Sequence, residues 1–232
     1  MIIGSGFIAK NFENYSNELE RLSICLYAAG VSNSQIKDND LLVKEKDRLI
    51  DFSKKFNKEK KLVYISTCSI NDSSRNKTPY VKNKLEIENL IVEKFNKFLI
   101  IRFPEVVGKN DNSITLTNFL YYNIINQKKF EMWKNAKRNL IDIQDAILLT
   151  VNYLKNKKSN KIVNIANPIN CYVSEIVKNF EILSNIKANY NLVDKGYYNL
   201  HIDVSEISEI ITNNQILFDQ SYLHKILKKY YF

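Results

Sequence analysis

Three short stretches of the chain are almost continuously apolar, and they limit the fold more than any other feature. Residues 24–29, 62–66 and 98–102 are each strand-length runs with few polar side chains. A strand with one wet face alternates apolar and polar residues. An unbroken run therefore belongs to a strand covered on both faces, as in a parallel sheet. Between these runs lie two longer segments, 40–56 and 80–95. Leu42, Val43, Leu49, Ile50, Phe52 and Phe56 recur near helical spacing in the first, and Val81, Leu85, Ile91 and Phe95 in the second. Parallel neighbours need a crossover, so strand, helix, strand, helix, strand in this order predicts an α/β domain with a parallel sheet. A short apolar start at 1–3 and the run 161–165 add further strands. Helices are expected over 7–15, 116–126, 141–154 and 173–183.

The turn after the first strand reads Gly4-Ser5-Gly6-Phe7-Ile8-Ala9, of the form GxGxxA, and opens a helix. Two glycines in a loop are by themselves only a turn; the strand before and the helix after supply the context for a pyrophosphate site. The first glycine permits the tight turn, the second admits a phosphate close to the backbone, and the small third residue lets helix and strand pack. Gly4, Gly6, Phe7 and Ile8 are thus candidate cofactor-binding positions. Ala28, Ala29 and Gly30, at the end of the next apolar run, and Pro104 after a later one join them.

Tyr80-Val81-Lys82-Asn83-Lys84 is a YxxxK motif at the start of a helix, with Tyr80 and Lys84 one turn apart on one face. A nearby ammonium stabilises tyrosinate, which suits a phenol to act as acid or base toward a carbinol or carbonyl oxygen. The preceding strand ends in Ser66-Thr67-Cys68-Ser69, which places a hydroxyl at a sheet's C-terminal edge, where open α/β sheets bind ligands.

Five segments in order resemble the extended short-chain dehydrogenase/reductase family, the NAD-dependent epimerases and dehydratases of nucleotide sugars. They are the glycine turn; Leu62–Thr67 with the Tyr80–Lys84 pair; Arg102-Phe103-Pro104-Glu105-Val106-Val107-Gly108, similar to "R-x-x-x-V-x-G"; Arg138-Asn139-Leu140-Ile141-Asp142-Ile143-Gln144-Asp145, similar to "R-D-F-I-H-V-x-D"; and Ile162-Val163-Asn164-Ile165-Ala166, similar to "Y-N-V-G/A". The resemblance implies a Rossmann-like parallel sheet with helices on both faces and a small C-terminal substrate-binding lobe. Residues 1–110 with about 139–165 would form the first part, and about 111–138 with 166–232 the second. It implies Tyr80, Lys84 and Thr67 as catalytic residues, with Lys84 also on the cofactor ribose. Ser32, Asn33, Cys68, Ser69 and Arg138 would contact a nucleotide-sugar substrate, Arg138 through phosphate; Lys109, Lys137, Trp133 and Met132 are lesser candidates. A homodimer would form through the helices following Asp40 and Tyr80.

The chain departs from this pattern in three places. Only 17–23 separates the first helix from the run 24–29, where the family has a strand ending in the residue that reads the adenosine ribose, and then a further helix and strand. The choice between NAD and NADP is therefore not readable. The dehydratase branch follows its catalytic Thr with Asp-Glu, whereas Cys68 and Ser69 stand here. The family's asparagine on the helix before the catalytic strand has no clear match within 41–47. A shortened adenosine site suits an enzyme that exchanges cofactor each turnover. The expected activity is thus NAD(P)H-dependent reduction of a nucleotide-linked keto sugar for surface polysaccharide. An epimerase and a non-catalytic nucleotide- or partner-binding descendant are the alternatives.

The formal charge of +9 admits an anionic partner, but it also follows from a composition rich in Lys, Ile and Asn. No Arg-rich tract or basic stripe points to nucleic acid, and no run is long enough for a membrane span. The expectation is a cytoplasmic protein. Cys25, Cys68 and Cys171 are scattered and odd in number, and His201 and His224 are the only histidines, so neither a disulfide framework nor a metal site is expected.

Overall fold

The computed structural model describes residues 1–34, 36, 38–73, 78–156, 158–196 and 200–232. Its centre is a five-stranded, wholly parallel sheet. The strands are β1 (Ile2–Ile3), β2 (Ile24–Tyr27), β3 (Lys61–Thr67), β4 (Phe98–Phe103) and, later in the chain, Lys161–Asn164 beside β4. The apolar runs are buried on both faces, as their composition required. Leu26, Val63, Leu99 and Ile101 pack on one side; Tyr27, Leu62, Tyr64 and Ile100 pack on the other. This is the two-residue alternation of strand side chains with both sets apolar.

The first face is covered by α1 (Phe7–Phe12), α2 (Ser16–Arg21) and a helix spanning Ile143–Lys155; the second by α3 (Asn39–Lys55) and α4 (Pro79–Lys94). Capping fixes where the long helices begin. The Asp38 carboxylate accepts from the backbone N–H groups of Asp40 and Leu41, and Thr78 Oγ1 accepts from that of Val81, with Pro79 in the first turn. The N-terminal cap of α4 sets Tyr80 at the mouth of its helix.

After β4 the chain builds a second apolar cluster from β5 (Glu105–Val107), α5 (Leu116–Ile125), β6 (Phe130–Trp133), β7 (Lys137–Arg138) and β8 (Leu140–Asp142). The Ile143–Lys155 helix, α6, and β9 (Lys161–Asn164) then return to the main sheet. β10 (Cys171–Tyr172), α7 (Val173–Ser184), β11 (Tyr190–Val193), α8 (Ser208–Asn213) and α9 (Tyr222–Tyr231) complete the chain. β6 and β11, and β5 and β8, pair in parallel, while β7 and β10 are antiparallel. Leu120, Ile124, Phe130, Ile176, Phe180 and Leu227 form the heart of this cluster. Two helices differ from expectation. The stretch 7–15 breaks into α1 and a 3-10 turn at Glu13–Tyr15, and 141–154 begins as strand, with helix only from Ile143. Among the described residues, no helix is long and apolar enough to cross a membrane.

Candidate functional site

A cleft of about 1190 Å³ opens along the C-terminal ends of β1 to β4. That exceeds the roughly 300–1,000 Å³ of a pocket for one small ligand. Of the residues singled out from sequence, Gly4, Gly6, Phe7, Ile8, Ala28, Ala29, Gly30, Ser32, Asn33, Thr67, Ser69, Tyr80, Lys84, Pro104 and Arg138 all line it.

The glycine turn is built as its motif suggests. Gly4 has φ +129°, and a Cβ there would lie 2.5 Å from the Ala28 carbonyl oxygen, so only glycine fits between β1 and the end of β2. At Gly6 an added Cβ would meet nothing within 4 Å. Gly6 is the N-cap of α1, so this open space adjoins the end of the helix that carries its first backbone N–H groups. Ala9, the small residue of the motif, is buried.

Tyr80, Lys84 and Glu88 follow one another at four-residue intervals along α4, and all three are buried. The Tyr80 ring packs with Ile36, Leu42 and Val81. Its neighbour Lys84, 3% exposed, sends its ammonium 2.8 Å from Glu45 Oε1 and 3.0 Å from the Tyr64 hydroxyl. Tyr64 in turn donates to Glu45 Oε1 at 3.3 Å, and Asn83 Nδ2 donates to Glu45 Oε2 at 3.1 Å. Burial by itself opposes the ammonium charge; Tyr64, Tyr80 and Glu45 around it outweigh burial and hold the Lys84 pKa above the ordinary lysine value. Burial raises that of Tyr64, keeping it a neutral phenol. The ammonium lies 5.7 Å from the centroid of the Tyr80 ring. Gly30 closes the cluster from the end of β2, for a Cβ there would stand 2.4 Å from Lys84 Nζ.

Glu88, one turn further along, bonds Ser66 Oγ at 2.6 Å and the Arg102 guanidinium at 2.9 Å, clamping α4 to β3 and β4. That leaves Thr67 as the strand-end hydroxyl for the cleft. Its Oγ1 accepts the Ser69 N–H at 3.1 Å, a bond that does not use the hydroxyl proton.

Cys68 does not belong with these residues. It is buried, its sulfur lies 3.2 Å from the Arg102 carbonyl oxygen, and it packs with Ala166 and Ile202 away from the cleft. β3 ends at Thr67 and the chain turns into a 3-10 helix at Cys68–Asn71, which carries the Cys68 side chain off the cleft wall. Lys137 lies over the Tyr172 ring, and Met132 is in the second apolar cluster; neither lines the cleft, whereas Lys109 and Trp133 do. Arg138 stands on the wall with Nε 3.3 Å from Glu105 Oε1, so its charge is shared with a carboxylate.

The sequence motifs single out neither Glu45 nor Tyr64. One signal was available for Glu45: it falls between Leu42 and Leu49 on the apolar stripe of α3, where a carboxylate needs a buried partner. Within α3, the residue that bonds Lys84 is Glu45.

Comparison with known proteins gives the fold its relatives. No curated protein matches the chain. Among solved structures, UDP-glucuronic acid 4-epimerase from Bacillus cereus, in complex with UDP-glucuronic acid and NAD, superposes with a TM-score of 0.69 at 20% identity, over 93% of this chain and 76% of that one. RMD from Pseudomonas aeruginosa, complexed with NADPH, gives 0.72 at 13% identity, over 98% of each chain. dTDP-glucose 4,6-dehydratase from Bacillus anthracis, in complex with NAD, gives 0.68 at 16% identity, over 97% and 76%. At such identities the likeness is one of fold. The family model for the NAD dependent epimerase/dehydratase family matches residues 24–166, from β2 through the strand after α6, and leaves the first strand and glycine turn outside. With more than half of its length matched, the chain belongs to the NAD dependent epimerase/dehydratase family.

Proposed function

We propose that the chain is an NAD(P)H-dependent reductase of a nucleotide-linked keto sugar, serving surface-polysaccharide precursor synthesis. The observation that carries this reading is the meeting of Tyr80, Lys84 and Thr67 on one cleft with the open glycine turn. The nicotinamide half of a cofactor fits the residues present. Open space over Gly6 admits a phosphate at the start of α1, and the 28–30 backbone borders the same cleft. When bound, the reduced nicotinamide supplies the hydride for the keto carbon.

The chain's own groups manage the oxygen. Thr67 donates a hydrogen bond to the carbonyl oxygen and fixes its position. Tyr80 delivers the proton as that oxygen gains charge. The Lys84 ammonium stabilises the phenolate left behind, and Glu45 and Tyr64 hold it in place. Arg138 and Lys109 stand along the cleft for the substrate's phosphates, with Ser32, Asn33 and Ser69 on its walls. No carboxylate follows Thr67 directly, which disfavours elimination of water. Two copies would associate through α3 and α4, which present Leu41, Val43 and Val92 outward.

The test is a screen of nucleotide-linked 4-keto sugars with NADH and NADPH, read by loss of the reduced-nicotinamide absorbance. One or more keto sugars should be reduced stoichiometrically. Interconversion of two sugars with no net cofactor loss would replace the proposal with an epimerase.

The two glycines separate fold from binding. Gly6→Val should leave stability within about 0.5 kcal/mol, because its φ is −79° and the space is empty, yet abolish detectable cofactor binding. Gly4→Ala should cost at least about 1–3 kcal/mol in urea unfolding, from the positive φ together with the clash of its Cβ against the Ala28 backbone. Unchanged binding by the Gly6→Val protein would move the phosphate site elsewhere.

A further inference from the structure

A doubly wound sheet holds one half of a dinucleotide on each side of the point where its strand order reverses. Here the order runs β1-β2-β3-β4-β9 with no reversal. β1 is the outermost strand and, among the described residues, pairs only with β2. The segment where further strands would be inserted, residues 13–23, is a 3-10 turn and α2, and it leads straight into β2 on the inner side of β1. None of its residues lines the cleft, and Glu18 pairs with Arg21 at 3.5 Å and with Lys155 at 3.4 Å. The cleft-lining turns therefore follow β1 itself or strands to one side of it.

Resting on the nicotinamide-dependent reading above, we propose that this chain recognises only the nicotinamide mononucleotide half of its cofactor. The adenosine half has no strand end beneath it, and reduced nicotinamide mononucleotide serves in place of the dinucleotide. Everything a mononucleotide needs lies within the cleft. The glycine turn receives its phosphate, with the cations Lys10 and Arg48 on the same cleft, and Lys84 and Tyr80 line it for the ribose and ring. The remaining half of a dinucleotide would extend past β1 into solvent and add little affinity.

The chain contains one tryptophan, Trp133, and it lines the cleft, so quenching of its emission by a reduced nicotinamide reports binding without turnover. The protein is titrated with NADH and with reduced nicotinamide mononucleotide, and each complex is challenged with adenosine, which shares neither the phosphate nor the nicotinamide ribose. The two dissociation constants should agree within about tenfold, with adenosine displacing neither. Binding of NADH tighter by more than that, or its displacement by adenosine, would overturn this proposal and leave the nicotinamide reading standing. Absence of quenching by either up to millimolar concentration would overturn both.

Discussion

Tyr80→Phe is expected to lower turnover of the accepted keto sugar by about 10²–10⁴-fold, the usual worth of a positioned acid, with cofactor affinity and stability near wild type. The ring would keep its packing against Ile36, Leu42 and Val81, and only the hydroxyl would go. Lys84 would keep its place as well, because its hydrogen bonds run to Glu45 and Tyr64. A loss confined to kcat is therefore the signature of proton delivery; a parallel loss of cofactor binding would mean that the phenol's role is to hold the ligand. If the Phe variant retains more than a few per cent of the rate, some other group delivers the proton.

Glu45→Ala should unfold the protein far more readily, by about 3–5 kcal/mol, the range for stripping a buried charge of its partner. Glu45 is 1% exposed and Lys84 3%. Removing the carboxylate leaves an ammonium in the core with only phenols about it, and also strands Asn83 Nδ2. For a domain whose whole stability is of order 5–15 kcal/mol, that is a large part of the total. Urea unfolding would measure it. The double substitution Glu45→Met with Lys84→Met should recover most of the loss, since replacing a buried pair by apolar side chains is often neutral. A Glu45→Ala midpoint within about 1 kcal/mol of wild type would show that water reaches Lys84 and that the cluster is not a buried ion pair.

The sheet could be read from sequence because its strands are covered on both sides. Leu62, Val63 and Tyr64 are all fully buried, and three apolar neighbours in a row leave little else for a segment of that length to be. The helices α3 and α4 followed from the spacing of their apolar residues. Less was visible where pairing partners are distant. Leu140–Asp142 merges into the apolar stripe of α6 in sequence, and only pairing with Glu105–Val107 makes it a strand. The same holds for Phe130–Trp133, which pairs with Tyr190–Val193 sixty residues on.

At the site, motifs located the groups that face the cleft but not those that hold them. Tyr64 sits in mid-strand among apolar residues and looks like any core aromatic; its role depends on Lys84 from another element. Glu45 is one acid in a helix full of charges, and only its position on the inner stripe distinguishes it. Cys68 adjoins Thr67 in sequence, yet the chain leaves β3 there for a 3-10 helix, and its sulfur lies against the Arg102 carbonyl.

The most direct test of the account is a single turnover with reduced nicotinamide carrying deuterium at the transferring position and a nucleotide-linked 4-keto sugar. The account predicts one deuterium on the carbinol carbon of the product, oxidised cofactor in equal amount, and both signals lost together in the Tyr80→Phe protein. A product formed without deuterium, or equal deuterium transfer by the Phe variant, would contradict it.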